Sequence, residues 1–110
     1  MPKKTATDWI DNNKERLIEI SDAIWSFAEV GLQEHKSSKL LADELEKHGF
    51  SVERGVAGMP TAFVATYGSG KPVLGILGEY DALPGLSQKA IPTQEPVKEG
   101  APGQIGRAHV

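Results

Sequence analysis

The chain has 110 residues and no cysteine, which leaves room for one small domain and excludes disulfides and any thiolate metal site. Hydrophobic residues make up 39%, charged residues 25%, and the net charge is −3. That is an ordinary globular balance, with nothing in it that favours nucleic acid or an anionic membrane as a partner. No apolar run approaches the ~20 residues that span a bilayer. The basic start Met-Pro-Lys-Lys-Thr leads into Asp8, Asp11 and Glu15 rather than an apolar core, so it does not read as a signal peptide, and a cytoplasmic setting is expected.

Composition changes along the chain. Before Gly49 stand only Gly31 and Pro2; every other glycine and proline lies from Gly49 onward. The expected order is therefore two helices, then three short strands with turns, then a tail with little pattern. The first helix is predicted over about 7–30, with Thr5 or Thr7 as its cap and Asp8 and Asp11 near its positive end. Ile10, Leu17, Ile20, Ile24, Phe27 and Ala28 recur at helical steps and form one apolar stripe, which Trp9 and Trp25 widen as core residues. Gly31 is expected to end it. A second helix is predicted over about 36–48, burying Leu40, Leu41 and Leu45. Gly49 fits the left-handed position after its end, with Phe50 folding back onto the last turn. His48 stands four residues after Glu44 and reads as half of a helix-surface pair, and His35 falls in a polar connector.

Strands are predicted over 50–56, 62–67 and 73–80, the last a nearly continuous apolar run that reads as a buried strand. Gly68-Ser69-Gly70-Lys71-Pro72 connects the last two as a hairpin turn. It superficially resembles a phosphate loop, but Ala65 stands where the first glycine belongs and Pro72 where the hydroxyl belongs.

The chemistry-bearing segment is 73–87. Two carboxylates, Glu79 and Asp81, follow the apolar run at once, at the carboxyl end of the expected strand, the edge where α/β sheets bind ligands. If the strand continued, both would point to one side. Two like charges so placed need a cation, a hydrogen-bond network or a proton to coexist. An equally simple reading has both capping the loop that follows.

Gly78-Glu79-Tyr80-Asp81-Ala82-Leu83-Pro84-Gly85-Leu86-Ser87 resembles the signature of the amidohydrolase branch of the zinc aminoacylase/carboxypeptidase family, nearest its p-aminobenzoyl-glutamate hydrolase type. Residues 25–34 and Ser37-Ser38-Lys39-Leu40-Leu41 are similar to the family's first two helices, and 56–63 to its first strand connection. The resemblance covers essentially all of 8–103. It implies an α/β fold: the amino-terminal part of a co-catalytic zinc exopeptidase-type catalytic domain, two helices then three strands, with an incomplete sheet. In many relatives the corresponding turn reads G-H-x-D, where the histidine binds a metal and the aspartate orients it. Asp81 matches that aspartate and is the catalytic residue the resemblance implies, a carboxylate that would fix an imidazole's tautomer. Glu79 stands at the histidine's place and is not assigned as a ligand; no metal ligand is assigned in this chain. Tyr80 and Leu83 read as packing. The resemblance further implies two divalent ions, zinc or manganese, in a full-length parent, none on this chain, a small amide or dipeptide substrate, and a homo-oligomeric parent.

The chain departs from that pattern after Gly103. There the branch should continue with something like H-G-C-G-H-N, and later with a Glu-Glu pair whose first member is the general base. Here the sequence reads Gln104-Ile-Gly-Arg-Ala-His-Val110, and His109 does not fall at a ligand position. Back-translated as CAG ATC GGA AGA GCA CAC GTC and followed by TGA, these residues reproduce a common sequencing adapter. The expected division is thus 1–103 as part of the hydrolase domain and 104–110 as a non-native tail. Such a chain is expected to be inactive, with open strand edges. The alternative is a small non-catalytic α/β module that binds a partner.

Overall fold

The computed structural model describes residues 2–103; the readings made for 104–110, His109 among them, lie outside the described residues. Helix α1 spans Pro2–Phe27 and helix α2 His35–Lys47. Strands β1, Ser51–Arg54, and β2, Phe63–Thr66, form a two-stranded antiparallel sheet in which Ser51 faces Thr66 and Arg54 faces Phe63. The result is a small α/β unit. Among the described residues no helix is long and apolar enough to cross a membrane.

The first helix begins several residues before the expected start. Proline is tolerated in a first helical turn because the amide it lacks has no partner there. Thr7 is therefore interior rather than a cap: its hydroxyl donates back to the carbonyls of Lys3 and Lys4, at 3.2 and 3.0 Å. Thr5 is interior too, and no acidic residue occupies the first turn. Nor does Gly31 end the helix. The turn comes earlier, at Ala28, whose φ of 46° breaks the right-handed run. Of the predicted stripe only Ile20 is buried, while Trp9 and Trp25 stay 46% and 40% exposed. The expectation that both tryptophans are core residues fails because, among the described residues, each is covered only in part, Trp9 by the His48 ring and Trp25 by the stretch that runs to Gly103.

Helix α2 runs nearly as predicted, but His35 is its first residue rather than part of a connector. Its buried side is Ser37, Ser38 and Ala42, and the leucines at 40, 41 and 45 are only half-buried. The end of α2 follows the expectation closely. Gly49 takes φ 90°, its amide donates to Glu46 at 3.0 Å, and the Phe50 amide reaches back to Leu45 at 3.0 Å. Those two bonds make a Schellman cap, and the positive φ is what requires glycine there. The Phe50 ring then meets Tyr67, with centroids 5.1 Å apart.

Glu44 ties the helices together. Arg16 on α1 donates from Nε at 3.2 Å and from Nη2 at 2.8 Å to the Glu44 carboxylate, while Nη1 binds Glu19 at 2.7 Å. The predicted Glu44–His48 pair also forms, at 3.4 Å. The hydrogen bond from Arg16 holds the Glu44 carboxyl below its ordinary range, outweighing the opposing effect of burial.

The third strand does not form. Residues 73–79 carry no strand pairing, and Val73, Leu74, Ile76 and Leu77 are 84%, 86%, 97% and 79% exposed. The hairpin expected through 68–72 is accordingly absent. An apolar run becomes a buried strand only where neighbours exist to accept its amides and cover both faces, and the described residues supply none.

Candidate functional site

Asp81 sits where three stretches of chain meet. The first is the turn after α1. It runs through Ala28 and Leu32, both at positive φ (46° and 67°), and closes with the Gln33 amide donating to Val30 at 3.0 Å. The second is the segment around Asp81 itself. Val30 and Ala82 pair as an isolated parallel bridge, the Ala82 amide donating to the Glu29 carbonyl at 2.6 Å, and Ala82 is 1% exposed. The third is the stretch up to Gly103. Leu83 and Gly103 exchange amide–carbonyl bonds of 2.9 and 3.0 Å, and the Ser87 amide donates to Ala101 at 2.9 Å. A β-carbon on Gly103 would lie 2.1 Å from the Leu86 carbonyl oxygen, so glycine alone allows this approach.

The Asp81 carboxylate is half-buried and close to the backbone of the first turn: a β-carbon built on Gly31 would lie 3.9 Å from its Oδ2. Glu79 is exposed. The expected geometry, two carboxylates on one side of a strand's end, is not present because the strand is not; the two are placed by loop backbone instead. Tyr80, read from sequence as packing, packs and also bonds. Its ring stacks on Phe63 with centroids 6.1 Å apart, and its hydroxyl donates to the Thr61 carbonyl. Burial pushes its phenol up from the ordinary tyrosine value. Leu83 is half-buried and contributes the backbone pair with Gly103. His48 lies on the far end of α2, edge-on to Trp9 with ring centroids 5.8 Å apart, and takes no part in this region.

Two glutamates that sequence reasoning passed over frame the site. Glu29 accepts the Lys36 amide at 3.0 Å and the Ser37 amide at 2.8 Å, both in the first turn of α2. Burial alone would raise its carboxyl, but those amides, with Lys36 nearby, outweigh it and the net shift is downward. Glu34 accepts the hydroxyl of the buried Thr61 at 3.2 Å. A carboxylate just ahead of a predicted helix start was the available signal, since helix amino-termini favour negative charge. It could not say which of the two would bend back to cap. Along the same turn lies a cleft of about 270 Å³, lined by Trp25, Ala28, Ser87, Lys98 and Gly103 among others.

Known proteins align with this chain over most of its length. It is 48% identical over 83 residues to a p-aminobenzoyl-glutamate hydrolase polypeptide of Escherichia coli (strain K12), a match covering 76% of this chain and 17% of that protein. It is 38% identical over 79 residues to thermostable carboxypeptidase 1 of Saccharolobus solfataricus, covering 70% of this chain and 18% of that one. The stretch belongs to the peptidase/amidohydrolase family. The Xaa-Arg dipeptidase of Homo sapiens adds 34% identity over 97 residues, with 76% and 22% covered. No family model matches the chain. The chain thus spans about a fifth of the length of the curated relatives it matches.

Proposed function

We propose that these residues are the amino-terminal part of the catalytic domain of a metal-dependent amidohydrolase or peptidase, of the co-catalytic zinc exopeptidase type. Its substrate is the amide bond of an N-acyl or aminobenzoyl amino acid, or of a dipeptide. The observation that carries the reading is the 48% identity over 83 residues to a hydrolase of p-aminobenzoyl-glutamate. The other relatives are named as a carboxypeptidase and a dipeptidase, so hydrolysis of an amide is the chemistry the three names share.

The described residues do not by themselves fit a metal centre: among them no three histidine, cysteine, aspartate or glutamate side chains converge on a point that could hold an ion. No catalytic step is therefore built on them. What they offer is Asp81, a half-buried carboxylate on a braced turn, suited to accept a hydrogen bond from an imidazole and hold its orientation. The bridge between Leu83 and Gly103 supports this role, because the family pattern places its imidazole-bearing motif directly after Gly103, and the bridge brings Gly103 opposite a residue two positions from Asp81. By itself the 110-residue chain is expected to be inactive, since hydrolysis needs a base and a held water, and no group of residues that could hold a metal-bound water is present among those described.

Long-read sequencing of the source DNA across codon 103 is the first test. The frame is expected to continue. The complete product, expressed with zinc or manganese, should then hydrolyse at least one member of a panel of p-aminobenzoyl-glutamate, N-acyl amino acids and dipeptides. Asp81→Asn should lower that turnover by about 10- to 100-fold. A genomic stop at this position, or a complete protein that turns over none of the panel, refutes the reading and leaves a binding module as the better account.

A further inference from the structure

Residues on both sides of Asp81 are anchored to one turn, 28–34. On one side the Ala82 amide donates to the Glu29 carbonyl at 2.6 Å, and the carboxylate of the same Glu29 accepts the Lys36 and Ser37 amides of α2 at 3.0 and 2.8 Å. On the other side the Tyr80 hydroxyl donates to the Thr61 carbonyl, and the Thr61 hydroxyl donates to Glu34 at 3.2 Å. Asp81 lies between. The turn itself holds Ala28 and Leu32 at φ 46° and 67°, a region that residues with a β-carbon keep only when their surroundings impose it. The turn already runs into α2 at Glu34, whose carbonyl accepts the Ser38 amide at 2.9 Å, and the Glu29 carboxylate folds the start of the turn back onto the same helix end. A side chain that merely capped α2 would need only the Lys36 and Ser37 amides; the short bond from Ala82 to the same residue's carbonyl couples the cap to the Asp81 segment.

We infer that Glu29 is a positioning residue for Asp81, its carboxylate pinning the 28–32 turn to α2 so that its carbonyl holds Ala82 and thereby fixes the Asp81 carboxylate. The inference rests on the reading of Asp81 as a site residue. It is tested in the complete enzyme by a cycle of Asp81→Asn, Glu29→Ala and the double variant. Glu29→Ala should lower kcat on the order of 10-fold, with KM within about twofold, because small misplacements of a catalytic group have effects of at least this size. In the Asp81→Asn background the same change should cost less than about twofold, since a residue that acts through Asp81 has nothing left to position. The Ala82 amide should also exchange with solvent faster in Glu29→Ala than in the wild type. If Glu29→Ala does not fold, Glu29→Gln, which keeps one acceptor oxygen, enters the same cycle.

Equal losses in both backgrounds, or unchanged exchange at Ala82, overturn the inference while leaving Asp81 in place. Should Asp81→Asn itself leave turnover intact, the reading of Asp81 fails and the inference with it.

Discussion

At Glu29 burial and hydrogen bonding act in opposite directions. Burial favours the neutral acid, while the two amides at the start of α2 favour the carboxylate, and the net effect lowers the folded-state pKa. A carboxyl depressed on folding stabilises the fold above its unfolded value, and that contribution is lost as the pH falls through the folded value. Helical signal in the wild-type chain should therefore drop as the pH falls below the ordinary glutamate range. Glu29→Gln should flatten that part of the profile, as measured by circular dichroism against pH. Glu44, held down by Arg16, acts in the same direction and will leave a residual slope. Gly103 presents a steric case. The atoms its missing β-carbon would strike, Leu86 O at 2.1 Å and Ser87 Cα at 2.7 Å, are backbone and cannot swing aside. Gly103→Ala should break the Leu83–Gly103 pair, raising exchange at both amides while the α2 amides stay protected.

The elements divide into those whose stability is local and those that need partners. Helix α2 and its cap were legible from Leu40, Leu41, Leu45 and Gly49, because a 3.6-residue period and a left-handed terminal glycine act within a few residues. Gly49→Ala, forced to hold φ 90°, should cost about 1–2 kcal/mol in a denaturant titration. The run 73–80 was legible as apolar and β-prone but not as unpaired. Whether such a run becomes a strand depends on residues far away in sequence, and here it lies open. Ile76, 97% exposed, provides the test. Ile76→Lys should leave the stability of this chain unchanged within about 0.5 kcal/mol, as exposed substitutions do. It should also reduce self-association seen by sedimentation velocity, because a charge interrupts an uncharged apolar β-prone window. A large loss of stability would show that the run is covered in solution.

The molecule as a whole has little interior. Ile20, Ala42 and Ala82 are the buried apolar residues among those described, and the accessible surface is 8527 Å². A compact protein of 11.8 kDa would expose about 5,900 Å². The radius of gyration is 15.8 Å, where a compact domain of this length has about 13 Å. So small a core cannot offset much conformational entropy. The 110-residue chain should melt broadly rather than in one sharp transition, and should bind a hydrophobic dye before heating. A steep calorimetric peak, with matching calorimetric and van't Hoff enthalpies, would contradict this.

The sequence by itself determined the two helices, the α2 cap, the first two strands and the motif around Asp81 that marks the family, because each rests on spacing or on residues adjacent in the chain. Only the tertiary structure decided that the third strand stays open, that the tryptophans remain half-exposed, and that Glu29 and Glu34 brace the Asp81 turn from its two flanks. The bracing depends on contacts between residues 27 and 53 positions apart, Thr61 with Glu34 and Ala82 with Glu29, which no local pattern encodes. A carboxylate next to a helix start has the same sequence signature whether it faces water or bends back onto the amides. The choice is made by what the rest of the fold brings against it.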